Sequence, residues 1–402
     1  VADELWAKAI VLENDGTSIA IVVCDVIAAE KHDLDRAKDR AAELTGISPD
    51  HIFISCTHTH SGPATLDILG VEREDEYMDW AVKKIGDAVK LAQNRLQPAS
   101  FAHNSGSCPE EVHNRRWHMT DGSVRMNPGF ENPELVRPAG PIDPEVAVGV
   151  FIDENRRPIA ALCNYALHYV GGPYGMASSA NYFGYFDRAL QRMGGDEFVA
   201  IMANGTCGDI NNCDFTRPAP EYPHPFFQIE RVANVVASRA FGAWQTIWDY
   251  SRDVALGAET EMIDFRRREA TEEQLQWATE NIEKEGEIEH KDYIYAREIL
   301  AVEEEAVTRP TPIMGLRVGD LGIVGLPGEI FVQYGLQIKA KSPFERTMTI
   351  SLANDAVGYC PTDLALEEGS YETELARSAK AAPGTEGQMV NAAVDVLKRL
   401  AK

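Results

Sequence analysis

The pattern of apolar and polar positions predicts strands and helices that alternate along the whole chain. A hairpin is expected over residues 6–26, because the Asp15-Gly16 pair supplies the positive φ that a tight turn requires. An apolar run at residues 51–56 predicts a buried strand, and apolar positions at helical spacing predict a helix over 74–94. Several neighbouring strands are hairpin-linked, so we expect an α/β fold with a mixed β-sheet core flanked by helices.

Two stretches break this alternation. Residues 106–144 are rich in Gly, Pro and Asn, and they predict a long ordered loop of the kind that usually carries function. Residues 271–306 are strongly charged, and their length predicts an exposed helical hairpin. Without an internal repeat or a low-complexity linker, the simplest organisation is one domain over residues 1–402, with 271–306 as a helical excursion.

Composition narrows the class of protein. Of 402 residues, 44% are apolar and 25% charged, which is typical of a soluble globular protein. The net charge of −25 argues against a nucleic-acid partner, and no apolar run approaches the ~20 residues of a membrane span. Seven cysteines without a CxxC pair predict a reducing compartment such as the cytoplasm, with export an open alternative. The sequence leaves the oligomeric state undetermined.

Two histidines follow the strand at 51–56, in Thr57-His58-Thr59-His60-Ser61-Gly62-Pro63. Positions i and i+2 of a strand lie on one face, and a break in the strand at Ser61-Gly62-Pro63 would let both rings converge at its carboxyl end, where open α/β sheets bind ligands. Paired imidazoles at such an edge indicate either a transition metal or a general base.

Other apolar strands also end in polar residues. His168 precedes Gly171-Gly172-Pro173, a turn spans residues 204–209, and Glu329 follows Leu326-Pro327-Gly328, with a weaker case at 351–359. Taken singly, each has an ordinary explanation: a hydrogen-bonded structural histidine, a turn, or a helix N-cap. Taken together, two histidine-bearing strand ends and a carboxylate are what a catalytic zinc site needs.

The chain resembles the catalytic domain of the neutral/alkaline (non-lysosomal) ceramidase family, and the order and rough spacing of the shared elements agree along its whole length. The matching elements are Thr57-His58-Thr59-His60-Ser61-Gly62-Pro63, Asn114-Arg115, His168, residues 204–209, Leu326-Pro327-Gly328-Glu329, Gly358-Tyr359 and Gly369-Ser370-Tyr371-Glu372.

The resemblance implies a zinc ion, Zn²⁺, and a set of residues around it. The ligands would be His58, His168, Glu329 and Tyr359. The second histidine, His60, would stand beside the metal-bound water, and Arg115 and Tyr371 would meet the substrate carbonyl. Without the family, Tyr359 is simply a packed aromatic beside a turn.

The chain also departs from the family pattern. Asn211 stands where ceramidases have a substrate-contacting serine, and the family's first N-terminal segment and C-terminal immunoglobulin-like domain are absent from the sequence. We also find no exposed apolar surface of the kind that a lipid hydrolase uses to reach a membrane. These departures predict a soluble or polar small-molecule substrate rather than ceramide.

The resulting hypothesis is a zinc-dependent amidohydrolase in which His60 moves the proton of the attacking water. Asp25, at a strand end, is either a partner of a liganding histidine or a turn cap. The stretch 106–144 is expected to wall the pocket, with at least one of Arg115 and Arg116 facing solvent. An ester or lactone hydrolase, and a non-catalytic zinc-containing binding protein, remain the alternatives; Asn211 favours the second.

Overall fold

The computed structural model describes residues 1–171, 177–286 and 289–402. Within them it confirms the expected mixed α/β fold, in which β-sheets are covered by helices. Gly172 and Pro173, which the sequence places just after the His168 segment, lie outside the described residues. The same is true of positions 287 and 288 in the charged stretch.

The strands of the described residues are numbered in chain order. They are β1 (Ala7–Asn14), β2 (Thr17–Cys24), β3 (Ile52–Cys56), β4 (Ser100–Ser107), β5 (His113–Asn114), β6 (Arg116–Met119), β7 (Val124–Met126), β8 (Leu135–Pro138), β9 (Glu145–Ile152), β10 (Pro158–Tyr165), β11 (Val199–Asn204), β12 (Ile210–Asn211), β13 (Leu256–Arg266), β14 (Thr308–Val318), β15 (Leu321–Gly325), β16 (Glu329–Ile330), β17 (Arg346–Ile350) and β18 (Tyr359–Cys360).

The helices are numbered in the same way. They are α1 (Lys31–Thr45), α2 (Asp75–Gln93), α3 (Asn181–Gly194), α4 (Phe227–Gln245), α5 (Glu272–Asn281), α6 (His290–Glu304), α7 (Val332–Lys341), α8 (Asp363–Glu368) and α9 (Thr385–Leu400). Short 3₁₀ turns occur at Pro49–His51, Pro109–Glu111 and Tyr371–Thr373. No helix in the described ranges is long and apolar enough to cross a membrane.

Three larger sheets share one construction. Their strand orders are β1-β2-β3, β11-β10-β9-β4 and β13-β14-β15-β17. In each sheet, antiparallel hairpin strands are joined by one parallel neighbour: β3 beside β2, β11 beside β10, and β17 beside β15. Helices α1, α3 and α7 make the respective crossovers. A parallel pair needs such a crossover, and ligand sites favour the carboxyl ends of its strands.

The three sheets bury their inner faces against one another. One apolar cluster joins Ile21 and Phe53 of the first sheet, Leu162 of the second, and Ile323 and Met348 of the third, each almost fully buried. Helices cover other faces: α1 and α2 the first sheet, α3 and α4 the second, α9 the third. This shared core fixes the strand ends relative to one another, because close-packed interiors resist displacement.

The stretch 106–144 is not the single long loop that its composition predicted. Strand β6 pairs with both β7 and β8 to form a small sheet, and β5 pairs with β12. Trp117 and Met119 of β6 are buried against Phe215. The prediction was wrong because strands of two to four residues, separated by Gly, Pro and Asn turns, are too short to show a period of two.

The charged stretch does contain two helices. Helix α5 begins with a capping box: the backbone N–H of Gln274 donates to Oγ1 of Thr271 at 3.2 Å, and that of Thr271 donates to Oε1 of Gln274 at 2.9 Å. Helix α6 is exposed on one side only, since Ala296 and Val302 are buried. On its buried side, the Glu298 carboxylate accepts hydrogen bonds from the backbone and guanidinium of Arg377.

Candidate active site

The backbone at His58 ends the first sheet's alternation. Strand β3 stops at Cys56, and His58 adopts the left-handed region with φ of 70°, held by a backbone bond from its N–H to the carbonyl of Val26 at 3.0 Å. This turn brings the His58 and His60 rings together, with centroids 4.7 Å apart. A non-glycine residue in this region stores about 1–3 kcal/mol of strain, which clusters at functional sites. The predicted convergence of the two rings is thus confirmed.

His168 joins these two histidines from the second sheet. It follows the end of β10, and its ring centroid lies 4.6 Å from that of His58 and 4.9 Å from that of His60. Metal-capable nitrogens of all three rings lie within 4.8 Å of one another. His58 and His168 are buried, whereas His60 reaches solvent. Such a cluster can hold a metal ion.

Glu329 enters the cluster from the third sheet region. It opens β16, which pairs in parallel with β18 and so places Glu329 opposite Tyr359. Oε2 of Glu329 lies 3.2 Å from Nε2 of His58 and 3.7 Å from Nδ1 of His168. This oxygen is buried and makes no well-aligned hydrogen bond among the described residues, with the side chains of His58 and Tyr359 beside the carboxylate.

The atoms at the contact between His58 and Glu329 indicate whether a cation would fit between them. Nδ1 of His58 lies 2.7 Å from the carbonyl oxygen of Ile27, which can only accept, so Nδ1 carries a proton. Nε2 faces Oε2 of Glu329 at 3.2 Å, where either a second ring proton or a bound cation would join the two atoms. Two buried lone-pair atoms at this distance repel unless a proton or cation lies between them. Imidazole nitrogen and carboxylate oxygen are both donors that suit zinc.

Arg115 and Tyr371 complete the set predicted for the substrate carbonyl. Nη1 of Arg115 donates to Nδ1 of His168 at 3.1 Å, and the guanidinium lies 5.4 Å from the centroid of the Tyr359 ring. The Tyr371 ring lies 5.8 Å from that of Tyr359, edge to face. The structure thus brings together every residue that the sequence placed in the site; their individual roles stay predictions.

The expectation that one arginine of the doublet faces solvent is wrong. Arg115 and Arg116 are 3% and 2% exposed, and both donate to the fully buried carboxylate of Glu372. Arg116 points away from the histidines, with its guanidinium 5.5 Å from the centroid of the Phe331 ring. Glu372 was not given a role from sequence. The adjacent arginines were the available signal, since buried arginines require a buried acid.

The electrostatics of the cluster favour neutral rings at His168 and His60 beside a charged carboxylate at Glu329. Burial, with Arg115 next, holds the pKa of His168 well below its usual value. Desolvation by the surrounding protein and then His58 also lower the pKa of His60, although part of that ring reaches solvent. Burial raises the pKa of Glu329, but His58 and other partners outweigh it, so the net pKa is lowered. Burial raises the pKa of Tyr371 to about 12.

Asp25 does not orient His58. Its Oδ2 accepts the backbone N–H of Trp6 at 2.9 Å, and the carbonyl of Ile27 instead contacts the His58 ring. Burial raises the pKa of Asp25 to about 7, with Lys8 opposing. This bond joins two positions 19 residues apart beside the β1–β2 ladder, so the carboxylate fastens the hairpin rather than capping a turn or a helix.

The turn at residues 204–209 contacts the backbone of both Arg115 and Glu329. Asp209 accepts the backbone N–H of Val332 at 2.8 Å, at the start of α7, and its backbone carbonyl accepts the N–H of Arg115 at 2.9 Å. Gly208 packs directly on the backbone of Glu329. Asn211 is buried, and its amide donates to Oδ1 of Asn127 at 2.8 Å.

The surface carries an apolar area that the sequence did not reveal. Trp6 and Trp80 are each 53% exposed and Leu91 is 59% exposed, and they line a groove of about 560 Å³. The expectation of no exposed apolar surface is wrong at this place. All seven cysteines, each within the described ranges, have free thiols, which agrees with the predicted lack of a disulfide framework.

Fold and site together define a mixed α/β protein with a ceramidase-like hydrolase fold and a candidate metal centre. No family model matches the chain. In sequence it is similar to neutral ceramidase of Pseudomonas aeruginosa, with 26% identity over 175 residues, which cover 40% of this chain and 24% of that relative. The match thus spans about a quarter of the relative's length.

Solved structures extend the likeness over the whole chain. The crystal structure of neutral ceramidase from Pseudomonas aeruginosa superposes with a TM-score of 0.74 at 17% identity, over 100% of this chain and 70% of that one. A ceramidase complexed with C2 gives a TM-score of 0.75 at 17% identity, over 98% and 70%. The resemblance predicted from the motifs is confirmed, and the structural match establishes the fold.

Proposed function

We propose that this protein is a zinc-dependent hydrolase that cleaves an amide (N-acyl) bond of a soluble or polar small molecule. The observation that carries the proposal is the convergence of His58, His60 and His168 within one cluster, with the buried Oε2 of Glu329 3.2 Å from Nε2 of His58. A cation held by these atoms would bring imidazole nitrogens and a carboxylate oxygen together as ligands. The fold shared with neutral ceramidase supports hydrolysis of an acyl bond.

The proposed ligands are His58, His168, Glu329 and Tyr359. When bound, zinc would act as a Lewis acid that lowers the pKa of water towards ~7. Both nitrogens of His168 are engaged in the present arrangement, Nδ1 by Arg115 and Nε2 by His60, so ligation requires one contact to yield. His60 is the alternative third imidazole, because it belongs to the same cluster.

The remaining side chains would manage the proton and the oxyanion. His60 would accept the proton of the attacking water on Nε2, the nitrogen that faces His168, and return it to the leaving nitrogen. General acid–base help of this kind contributes roughly 10²–10⁴-fold. Arg115 and Tyr371 would donate hydrogen bonds to the developing oxyanion, each worth about 3–4 kcal/mol when well placed.

Metal analysis tests the ligand set directly. The purified protein is expected to carry about one zinc per chain, and His58→Ala or Glu329→Ala to lose it together with activity. His51→Ala is the matched control, because His51 contacts the carbonyl of Ser18 rather than the cluster. Stoichiometric zinc in the His58→Ala, Glu329→Ala double variant would remove these ligands from the proposal.

His60→Gln separates proton transfer from metal binding. The variant is expected to keep its zinc while kcat falls roughly 10²–10⁴-fold, because only the acid–base group is lost. Loss of zinc from this variant would assign His60 to the ligands instead. Turnover close to that of the unmodified protein would exclude it from both roles.

Kinetics with matched N-acyl and O-acyl substrates would show which type of bond the protein cleaves. The proposal expects higher kcat/KM for N-acyl amines or N-acyl amino acids than for matched O-acyl esters, and the opposite preference would favour an ester or lactone hydrolase. The non-catalytic alternative rests on Asn211, whose amide is committed to Asn127. Zinc binding without turnover of any acyl substrate would support that alternative.

We also propose a single domain and a cytoplasmic location for this protein. Residues 1–402 would form a single domain, as supported by the apolar cluster that three sheets share. A cytoplasmic location would be tested by fractionation of the source cells.

A further inference from the structure

Glu372 occupies a buried position between two arginines. Its side chain is fully buried, and Oε1 accepts a hydrogen bond from Nε of Arg115 at 2.8 Å while Oε2 accepts one from Nη1 of Arg116 at 3.0 Å. Both carboxylate oxygens are therefore engaged with guanidinium groups. Arginine presents its donors in a fixed planar fork, so a bond at Nε sets where the other nitrogens point.

The three nitrogens of Arg115 have different environments. Nε is held by Glu372, Nη1 lies against Nδ1 of His168 at 3.1 Å, and Nη2 is buried without a well-aligned hydrogen bond in the described part of the chain, beside the Tyr359 side chain. An unpaired donor on a buried charge is costly, and such groups call for a functional explanation. The position beside the histidine cluster makes Nη2 the donor available to a bound ligand.

Glu372 also stands next to Tyr371 in the 3₁₀ turn Tyr371–Thr373. The segment is tied to β7, the strand in which Met126 pairs with Arg116, since Oγ of Ser370 accepts the backbone N–H of Met126 at 3.0 Å. One buried carboxylate thus anchors both the Arg115 side chain and the backbone beside Tyr371.

We propose that Glu372 is a positioning residue that orients Arg115 so that Nη2 is held free for the acyl oxygen of the substrate. The inference rests on the proposed hydrolase function. An acyl oxygen that gains negative charge during the reaction fits this donor, because the single Glu372 carboxylate is shared by two arginines and leaves positive charge beside the site.

Glu372→Gln is the test variant, because truncation to alanine would leave two buried arginines without an acid and endanger folding. Glutamine keeps the shape but offers one acceptor oxygen for two arginines. We expect unchanged zinc content and a fall in kcat/KM of about tenfold to a hundredfold, chiefly in kcat. Glu368→Gln is the matched control: Glu368 lies 3.6 Å from Arg116 and near His118, away from Arg115, and it should leave kcat/KM unchanged.

A double-mutant cycle distinguishes positioning from general damage. In the Arg115→Ala background, Glu372→Gln is expected to have no further effect on kcat/KM, whereas additive losses would overturn the proposal. Absence of turnover in the unmodified protein would count against the proposed hydrolase function instead.

The nitrogen-15 NMR signal of the Arg115 Nε–H group gives a readout that does not depend on activity. The signal is identified by its loss in Arg115→Ala. We expect it to shift or broaden in Glu372→Gln and to stay in place in Glu368→Gln. An unchanged signal in Glu372→Gln would overturn the positioning role, whatever the substrate is.

Discussion

Replacing Gly208 with alanine would place a methyl group against the backbone that carries Glu329. A Cβ at this position would lie 2.4 Å from the carbonyl oxygen of Glu329, 2.9 Å from its carbonyl carbon and 3.0 Å from that of Ile330. The nearest contact is about 1 Å shorter than the 3.4 Å at which ordinary van der Waals contact begins. These neighbours are backbone atoms, so no side-chain rotation can relieve the clash. Gly208 has no left-handed φ, which makes the test purely steric.

The backbone of Glu329 and Ile330 must move to relieve this clash, and the movement should lower both stability and kcat/KM. Overpacking typically costs about 1–3 kcal/mol, and the bond from the N–H of Gly208 to the carbonyl of Ile330 at 2.8 Å would be strained as well. A displacement of Glu329 by about 1 Å would lower kcat/KM roughly 10²-fold. Urea unfolding followed by circular dichroism measures the first effect, and acyl-substrate kinetics with zinc analysis measure the second.

Gly242→Ala is the control for this substitution. Gly242 lies in α4, exposed, with nothing within 4 Å of the added Cβ. Alanine there should stabilise the helix by about 0.5–1 kcal/mol. If Gly208→Ala matched the unmodified protein in unfolding free energy, zinc content and kcat/KM, close packing of this glycine would not be what positions Glu329.

Three further substitutions give independent checks. Glu298→Ala should lower the free energy of unfolding by on the order of 2–3 kcal/mol, less than a fully buried pair because Arg377 is partly exposed; urea unfolding measures it. Folding raises the pKa of Asp25 from 3.8 to about 7, so the folded protein binds the extra proton and loses stability as pH rises through this window. Asp25→Asn should therefore gain stability relative to the unmodified protein between these pH values, and parallel pH profiles would contradict this. Thr271→Ala should cost about 1 kcal/mol in α5, seen as faster amide hydrogen exchange in that helix, and unchanged exchange would rule out the cap's contribution.

The sequence allowed the strand ends to be located because long apolar runs stop abruptly at polar residues. Strand β3 before His58, β10 before His168 and β15 before Glu329 all belong to parallel pairs, so their carboxyl ends could be expected to carry the site. The turn at Asp15-Gly16, with both residues at positive φ, was predictable from local chemistry alone.

Other features leave no local pattern in the sequence. Strands β16 and β18 have two residues each, too few for a period, yet their pairing sets Glu329 opposite Tyr359. Glu372 and Arg115 are 257 positions apart in the sequence, so no local pattern predicts that their side chains pair. Arginine is mostly exposed in proteins, so residue type alone predicts a surface position. The left-handed backbone of His58 is likewise imposed by tertiary bonds rather than by its residue type.

The spread of the site along the chain has a consequence for biosynthesis. Proteins generally fold from the N-terminus as they leave the ribosome. His58, His60 and His168 leave the ribosome well before Glu329 and Tyr371. A nascent chain can therefore gather three imidazoles while it still lacks the carboxylate and one of the two proposed carbonyl-binding groups. The proposed activity can arise only after residue 371 has been made, so a chain that terminates earlier would carry an incomplete centre.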